Sequence, residues 1–517
     1  MPPTDAVALI NWIPDAGGVR CRKGFIEWAI NVPSDVPVYS LLPYFNQTDA
    51  FPGGSYLVVP TSMPGKFFCV TDAAIYDVTS TTNAPVSVQA LSGAADAGKI
   101  VSTLMVNSAG TTFMLATSEA DGYFTYDGTS WLKVTAGGGA TQINGADPTK
   151  FVHVLVWKRR AMFTEKNSTK AWITAADAPY GVVTKLDFGA LFPHGGHLSY
   201  LASWTIDAGE GIDDFLVAVS SNGDVAVYKG SDPTSATDFA LVGTWFVGQI
   251  PVGRRGAVQY GGDLVILSAE GIFPISYVTR GGADFLVAST SEYSSFIRSI
   301  IGQDLRASFT DFGWQMLIHP SERLMLVNVP DYGDIQRRQF VMTTTNNRWA
   351  LFSGIPALCL GSIGGYTFCG TRDGRVLLLF TGGYDNVTYG ESVGDSIPGL
   401  IVPAFNYFEV PAVEKQFLLV RPVFLYTIRP EVVCDVTVNF AVVLPTGTPG
   451  LGGSGGSVWD SALWDSAVWG GGQQVYDEWH AAGDTGFCGT VVIQVSSAGD
   501  TVLSAIDYVL QMGGVAG

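Results

Sequence analysis

FLVAVSSNGDVAVYKG, residues 215–230, reads as two short strands of apolar, β-branched character around the pair Asn222-Gly223. A tight turn between antiparallel strands needs positive φ, which Asn and Gly adopt at little cost. The same unit recurs on both sides. YFTY-DG-TSWLKV (123–134) turns at Asp127-Gly128. AVQY-GGD-LVIL (257–267), FVMT-TTNN-RWALF (340–352) and YTFCGT-RDG-RVLLLF (366–380) repeat the pattern. Apolar stripes of helical period are nearly absent, so 51–390 reads as a series of antiparallel hairpins. At roughly 40–50 residues per four-stranded blade, the block predicts an all-β fold with a β-propeller of about six to eight blades. Two or three stacked β-sandwiches fit evenly spaced short strands as well and stay open as the alternative.

Beyond 390 the texture changes. FLLVRPVFLYTIRPEVVCDVTVNFAVV (417–443) predicts two long strands, and GTVVIQVSS (489–497) and TVLSAIDYVLQM (501–512) predict two more. Between them lie a Gly/Ser tract, PTGTPGLGGSGGS (445–457), and VWDSALWDSAVW (458–469). The expected domains are 1–50 and 391–517 as two parts of one β-sandwich platform, with the propeller at 51–390 inserted between them and a Trp-rich arm at 445–480.

Charge excludes some functions. Charged residues are 14% of the 517, and 46 Asp and Glu against 28 Lys and Arg leave a net charge of -18. A protein that grips nucleic acid needs basic clusters; an acidic wall lets it slide past. Few charges also leave much neutral surface, suited to burial against other subunits. The six cysteines include no C-x-x-C pair, so zinc-site spacing is absent and they read as reduced, buried thiols. No apolar run approaches the length of a membrane span, and the N-terminus has no secretory-signal pattern.

Catalytic motifs are sparse. His194-Gly-Gly-His197 has metal-ligand spacing but no companion Cys or His pair, and it reads first as a polar loop. Arg159-Arg160, Arg254-Arg255 and Arg337-Arg338 invite comparison with the arginine cluster of sialidase propellers. The S-x-D-x-G-x-x-W boxes of those enzymes are missing, and doublets beside β turns are more often surface pairs at strand ends. Neither a phosphate-binding G-x-x-x-x-G-K-[ST] nor a zinc-binding H-E-x-x-H occurs. No cofactor is expected.

Two stretches read as contact surfaces. Trp459, Trp464 and Trp469 recur every five residues, a spacing that aligns the rings on one face of neither strand nor helix. An extended arm whose indoles dock in separate pockets suits it; a loop folded back on its own sandwich is the other reading. Near the N-terminus, NWIPDAGGVRCRKGFIEWA (11–29) places Arg20, Arg22 and Lys23 beside Trp12 in an acidic chain. The cations either reach a neighbouring subunit or pair within the chain at the platform's edge.

These segments resemble the tail hub or nozzle proteins of short-tailed bacteriophages. The likeness lies in NWIPDAGG (11–18) with RCRKGF (20–25), in HVLVWKRRAMFTEKNSTKAWIT (153–174) and in 189–233. It continues in GDLVILSAEGIFPIS (262–276), the repeated W-D arm and the closing DYVLQMGG (507–514), patchily spanning most of the chain. The resemblance implies a structural virion protein and not an enzyme: a homo-hexameric ring below the portal and head-to-tail adaptor, made in the host cytoplasm and carried in the virion tail. Such a ring lines the channel for DNA ejection without binding the DNA specifically and docks tail fibres or tailspikes. Trp12, Arg20, Arg22, Lys23, Trp459, Trp464 and Trp469 are then the candidates for subunit and adaptor interfaces. The rival function is a glycan-binding or glycan-cleaving propeller, a lectin or sialidase-like protein. It would gather aromatic rings and paired carboxylates at the propeller's axial mouth.

Overall fold

The computed structural model describes residues 6–513 except 16, 30–31, 33–35, 47–48, 50–58, 208–211, 236, 281–294, 332–337, 392, 448 and 450–472. The chain forms two compact units, one of Trp28–Gln339 and Ile355–Leu377, the other of Met1–Glu27, Phe340–Gly354 and Leu378–Gly517. The boundaries therefore differ from the expected 50/51 and 390/391. The first strand of the first blade is already Ser40–Tyr44, and the hairpin strand Trp349–Ser353 belongs with the terminal segments.

The first unit is a β-propeller. Five four-stranded sheets and one three-stranded sheet make six blades. Their first strands are Ser40–Tyr44, Ile100–Val106, Phe151–Trp157, Leu198–Asp207, Ala257–Tyr260 and Cys359–Ile363. The hairpin Gln315–His319/Leu324–Val329 sits between the fifth and sixth. Ser40–Tyr44, Ile100–Val106, Phe151–Trp157 and Leu198–Asp207 touch in turn, and Leu198–Asp207 touches Asp263–Ser268 of the fifth blade. Gln315–His319 touches both Ala257–Tyr260 and Cys359–Ile363, and the ring closes where Cys359–Ile363 packs on Ser40–Tyr44. The sixth blade takes its fourth strand, Phe25–Ala29, from the beginning of the chain. Trp28 anchors that strand. Its ring lies edge-on to Phe368 at 5.2 Å, and its Nε1 donates to the Val78 carbonyl at 2.7 Å.

The 215–230 hairpin shows why these strands are apolar on both faces. Ile212–Ser220 pairs with Asp224–Lys229 around the Asn222-Gly223 turn. Val217, Val219, Val225 and Val227 pack towards Ile266 and Phe273 of the next blade. Leu216, Ala218 and Ala226 pack towards Met162 and Ile173 of the preceding one. These two strands thus serve two cores, and alternation shifts from apolar/polar to apolar/apolar, whereas the blade's outer strand Ala240–Phe246 is largely exposed. Gly223 has φ +96°, and a Cβ there would lie 2.0 Å from the Gly248 carbonyl oxygen, so only glycine fits.

Helices depart from the sequence reading: among the described residues, Ile275–Arg280 and the longer Ser295–Ser308 accompany the three-stranded fifth blade. Ile301 and Leu305, four apart, are fully buried. Gly302 in the middle of the longer helix weakens the helical signal, yet a Cβ there would meet the Ala269 carbonyl oxygen at 2.7 Å. Close approach of helix to sheet requires the residue that obscures the helix in sequence.

The second unit is a β-sandwich. In this unit one sheet runs Arg338–Thr343, Trp349–Ser353, Ala6–Ile10, Asp395–Pro403, Gly489–Ser497, Glu431–Val438. The other runs Trp12–Asp15, Gly18–Cys21, Thr501–Met512, Lys415–Tyr426, Gln474–Tyr476. The two long strands expected in 417–443 both exist but do not pair; each enters a different sheet. Phe417, Val420 and Phe424 of one sheet face Val436, Val491, Ile493 and Val495 of the other across the core.

Candidate functional site

The propeller axis is where this fold brings distant residues together. At one end, segments before first strands (Tyr39, Asp96, Lys99), turns between second and third strands (Asp72, Arg372) and Phe312 surround a small pocket of about 220 Å³. Asp311 and Asp331 also line it, which makes the mouth acidic. The Asp72 carboxylate accepts the Gly98 backbone N–H at 2.7 Å, and Lys99 pairs with Asp96 at 2.5 Å. Phe312 is the centre of the cluster: Tyr39 lies edge-on to it at 5.8 Å, with Lys99 at 4.8 Å and Arg255 at 5.2 Å from its ring centre. Burial, then the nearby Asp72 and Asp96 charges, raise the Tyr39 hydroxyl pKa, which disfavours the phenolate a nucleophile would use. Among the described residues, no three His, Cys, Asp or Glu side chains gather to hold a metal.

The first strands also line a second, more open cavity of about 550 Å³, with Arg255 in its wall. Here the arginine doublets divide. Arg159, in a hairpin turn, pairs with Asp177, and Arg160 pairs with Asp232 at 3.3 Å, as surface pairs do. Arg338 pairs with Asp304 at 2.5 Å, whereas Arg337 lies outside the described residues. Arg254 and Arg255 instead point inwards. Arg254 pairs with Glu119 and donates to the Ser199 carbonyl. Arg255 donates to the Tyr39 and Ile100 carbonyls and the Ser40 hydroxyl, tying the fifth blade to the first and second. His153, buried beside Arg254, has its pKa lowered to about 3 by burial and by that charge. His194 and His197 hold a turn: His194 Nδ1 lies 2.6 Å from the buried Asp224 carboxylate, and the His197 N–H donates to Ser221 Oγ at 3.2 Å.

In the platform, the N-terminal candidates divide in the same way. Trp12 is fully buried in the sandwich core, its ring 5.9 Å from Phe424. Arg22 is buried too, and all five of its N–H groups are used. They reach Asn11 Oδ1, the Lys23 and Ser353 carbonyls, and both oxygens of Asp385. Neither side chain faces a partner, so for these two the interface reading gives way to intrachain pairing. Arg20 lies 3.7 Å from Asp15 across its own hairpin, and Lys23 is half-buried. Trp459, Trp464 and Trp469 lie outside the described residues.

The sandwich exposes a different surface, which the sequence reading did not single out. Phe440 is 63% exposed, Val443 64% and Leu444 55%, with Tyr407 and Phe487 beside them at 40% and 47%. Phe405 and Tyr407 approach the Phe440 ring to 4.9 and 6.3 Å, and the Phe487 N–H donates to the Asn439 side chain next to Phe440. Phe405, Tyr407 and Phe440 therefore form one cluster, with Val443 and Leu444 exposed three and four residues further along the chain. Its signal in sequence was NFAVVL (439–444), which continues a strand pattern past the end of the strand at Val438. All six cysteines are buried and free, and burial pushes the Cys21 thiol up to about 12.

No model of a known family matches the chain. No curated protein matches it either. Similar solved structures include BBS1N in complex with ARL6DN, soaked with mercury, at 10% identity and TM-score 0.40 over 69% of this chain and 98% of that one. A lead-soaked crystal of the same complex matches at 12% identity and TM-score 0.29, over 52% and 76%. The extracellular domain of the hybrid two-component system BT4673 from B. thetaiotaomicron matches at 9% identity and TM-score 0.36, over 69% of this chain and 39% of that one.

Proposed function

We propose that this chain is a structural subunit of a short-tailed bacteriophage tail, a hub or nozzle protein that assembles as a homo-hexameric ring and is not an enzyme. The observation that carries the reading is the exposed apolar surface of Tyr407, Phe440, Val443, Leu444 and Phe487 on the platform. An exposed apolar cluster is unfavourable on a free subunit and marks an interaction site. A neighbouring copy in a closed ring covers it without leaving a repeating open edge. On this reading the adaptor sits above the ring, fibres or tailspikes dock around it, and phage DNA passes through without specific binding. The net charge of -18 suits a wall that does not hold phosphate. The test is subunit counting on intact tails: six copies support the reading, and another stoichiometry, or absence from the virion, overturns it.

A second reading rests on a specific observation. The axial mouth joins Tyr39 and Phe312 to Asp72, Asp96, Asp311 and Asp331, the mixture of rings and carboxylates a sugar-binding propeller would use. Glycan-array binding by the monomer that is abolished by Phe312→Ala would favour a lectin. Release of reducing sugar would favour a glycosidase.

A further inference from the structure

We propose that the cavity lined by the propeller's first strands binds a small monocarboxylate with an apolar body, anchored by Arg255. The proposal is independent of the tail assignment. Its basis is an imbalance at one guanidinium. Arg255 has five N–H groups and gives three of them to protein acceptors: the Tyr39 carbonyl at 3.1 Å, Ser40 Oγ at 2.6 Å and the Ile100 carbonyl at 2.7 Å. Its Nε–H and its second Nη1–H have no acceptor among the described residues. Nor does a carboxylate among them lie within ion-pair distance, although the other inward arginines, Arg22 and Arg254, each hold one. The guanidinium is partly buried, and a ligand anion supplies the counter-charge that the described residues do not.

The cavity sets the rest of the ligand. At about 550 Å³ it falls within the range of small-molecule sites. Leu317 and Leu360 give it apolar wall, while Ser102 and Ser362 add hydroxyls. Gln315 is not free to bind, because its side chain both donates to the Leu360 carbonyl and accepts the Leu360 N–H. One cation with two open N–H groups matches a single negative charge. A phosphate dianion would need a second cation, and Arg255 is the one Lys or Arg among the described residues that line this cavity. The acidic mouth beyond Phe312 adds a further penalty for multiple charge.

The test is calorimetric titration of the full chain with cyclohexanecarboxylate, and with cyclohexylmethanol and inorganic phosphate for comparison. Saturable binding of the carboxylate, about tenfold or more tighter than of either comparison ligand, is expected from one charge-assisted hydrogen-bonded contact. Arg255→Gln should lose that margin. Leu317→Trp, which keeps the guanidinium and fills the cavity, should lose it as well, and decides the matter if the first variant does not fold. Absence of carboxylate binding, phosphate binding as tight as the carboxylate, or unchanged affinity in whichever variants fold would each overturn the proposal.

Discussion

Arg22 and Asp385, 363 positions apart, meet face to face inside the platform, Nη1 and Nη2 lying 2.7 and 2.6 Å from the two carboxylate oxygens. Their side chains are 0% and 7% exposed. The pair joins the N-terminal hairpin to the segment that follows the last propeller blade. Removing one partner strands the other charge in the interior, so Arg22→Leu or Asp385→Leu should cost about 3–5 kcal/mol in urea denaturation. Changing both together should cost clearly less than the sum of the two; strict additivity would show that the charges do not act as a pair.

His153 makes stability depend on pH. Its folded pKa, about 3, lies below the ordinary 6.5 because burial and Arg254 oppose the proton. The unfolded chain takes up that proton first as pH falls. The histidine's contribution is therefore intact above pH 6.5 and declines towards about pH 3, by ~1.4 kcal/mol per pH unit. His153→Leu should lose less stability than the native chain between pH 7.5 and 5, as read from urea midpoints. Parallel losses in both proteins would refute the assignment.

Lys415 is a buried ammonium with no carboxylate partner among the described residues, held by the carbonyls of Val410, Val413 and Phe487 at 2.5, 2.7 and 2.9 Å. All three of its donors are satisfied, and it clamps the loop at 410–413 to the strand end at 487. Lys415→Met keeps the volume and orphans three acceptors, with an expected cost of about 3 kcal/mol. A loss under 1 kcal/mol would mean that water replaces the ammonium.

Gly223→Ala should destabilise the propeller by more than about 1 kcal/mol, since it imposes a side chain on φ +96° against the Gly248 backbone. Differential scanning calorimetry would show whether the propeller transition moves while the platform transition stays, as two separate cores predict.

Phe440→Ser together with Val443→Ser should leave the thermal unfolding of the isolated subunit within about 0.5 kcal/mol of native, because both side chains are exposed. In the proposed tail-hub role, ring assembly on the adaptor should weaken by about tenfold or more. Full assembly by the double variant would show that this surface is not the contact.

The turns and the long strands were legible because their causes are local. Asn222-Gly223 carries its own conformational demand, and Gly489–Ser497 and Thr501–Met512 are continuous runs with no competing pattern. Membership was not legible. Nothing in FIEWA announces that residues 25–29 complete the blade of Val376–Leu379, since that pairing is a fact of ring geometry. Arg22 and Arg255 look alike in sequence, each beside another cation. One is saturated by Asp385 and the other keeps two open donors, a distinction made by residues far away along the chain. Trp12 was misleading for the same reason: a tryptophan beside cations suggests a contact surface, and the second sheet covers it.

The borrowed fourth strand of the sixth blade also imposes an order in time. Phe25–Ala29 leaves the ribosome early, while its partner Val376–Leu379 emerges only after the rest of the propeller. At about 5–20 residues per second the early strand waits some tens of seconds with its pairing edge unfilled. During that interval the ring is an open arc, and a second nascent chain can offer the same missing strand. Crowded translation at high expression should therefore favour strand-exchanged multimers, and slower initiation should suppress them.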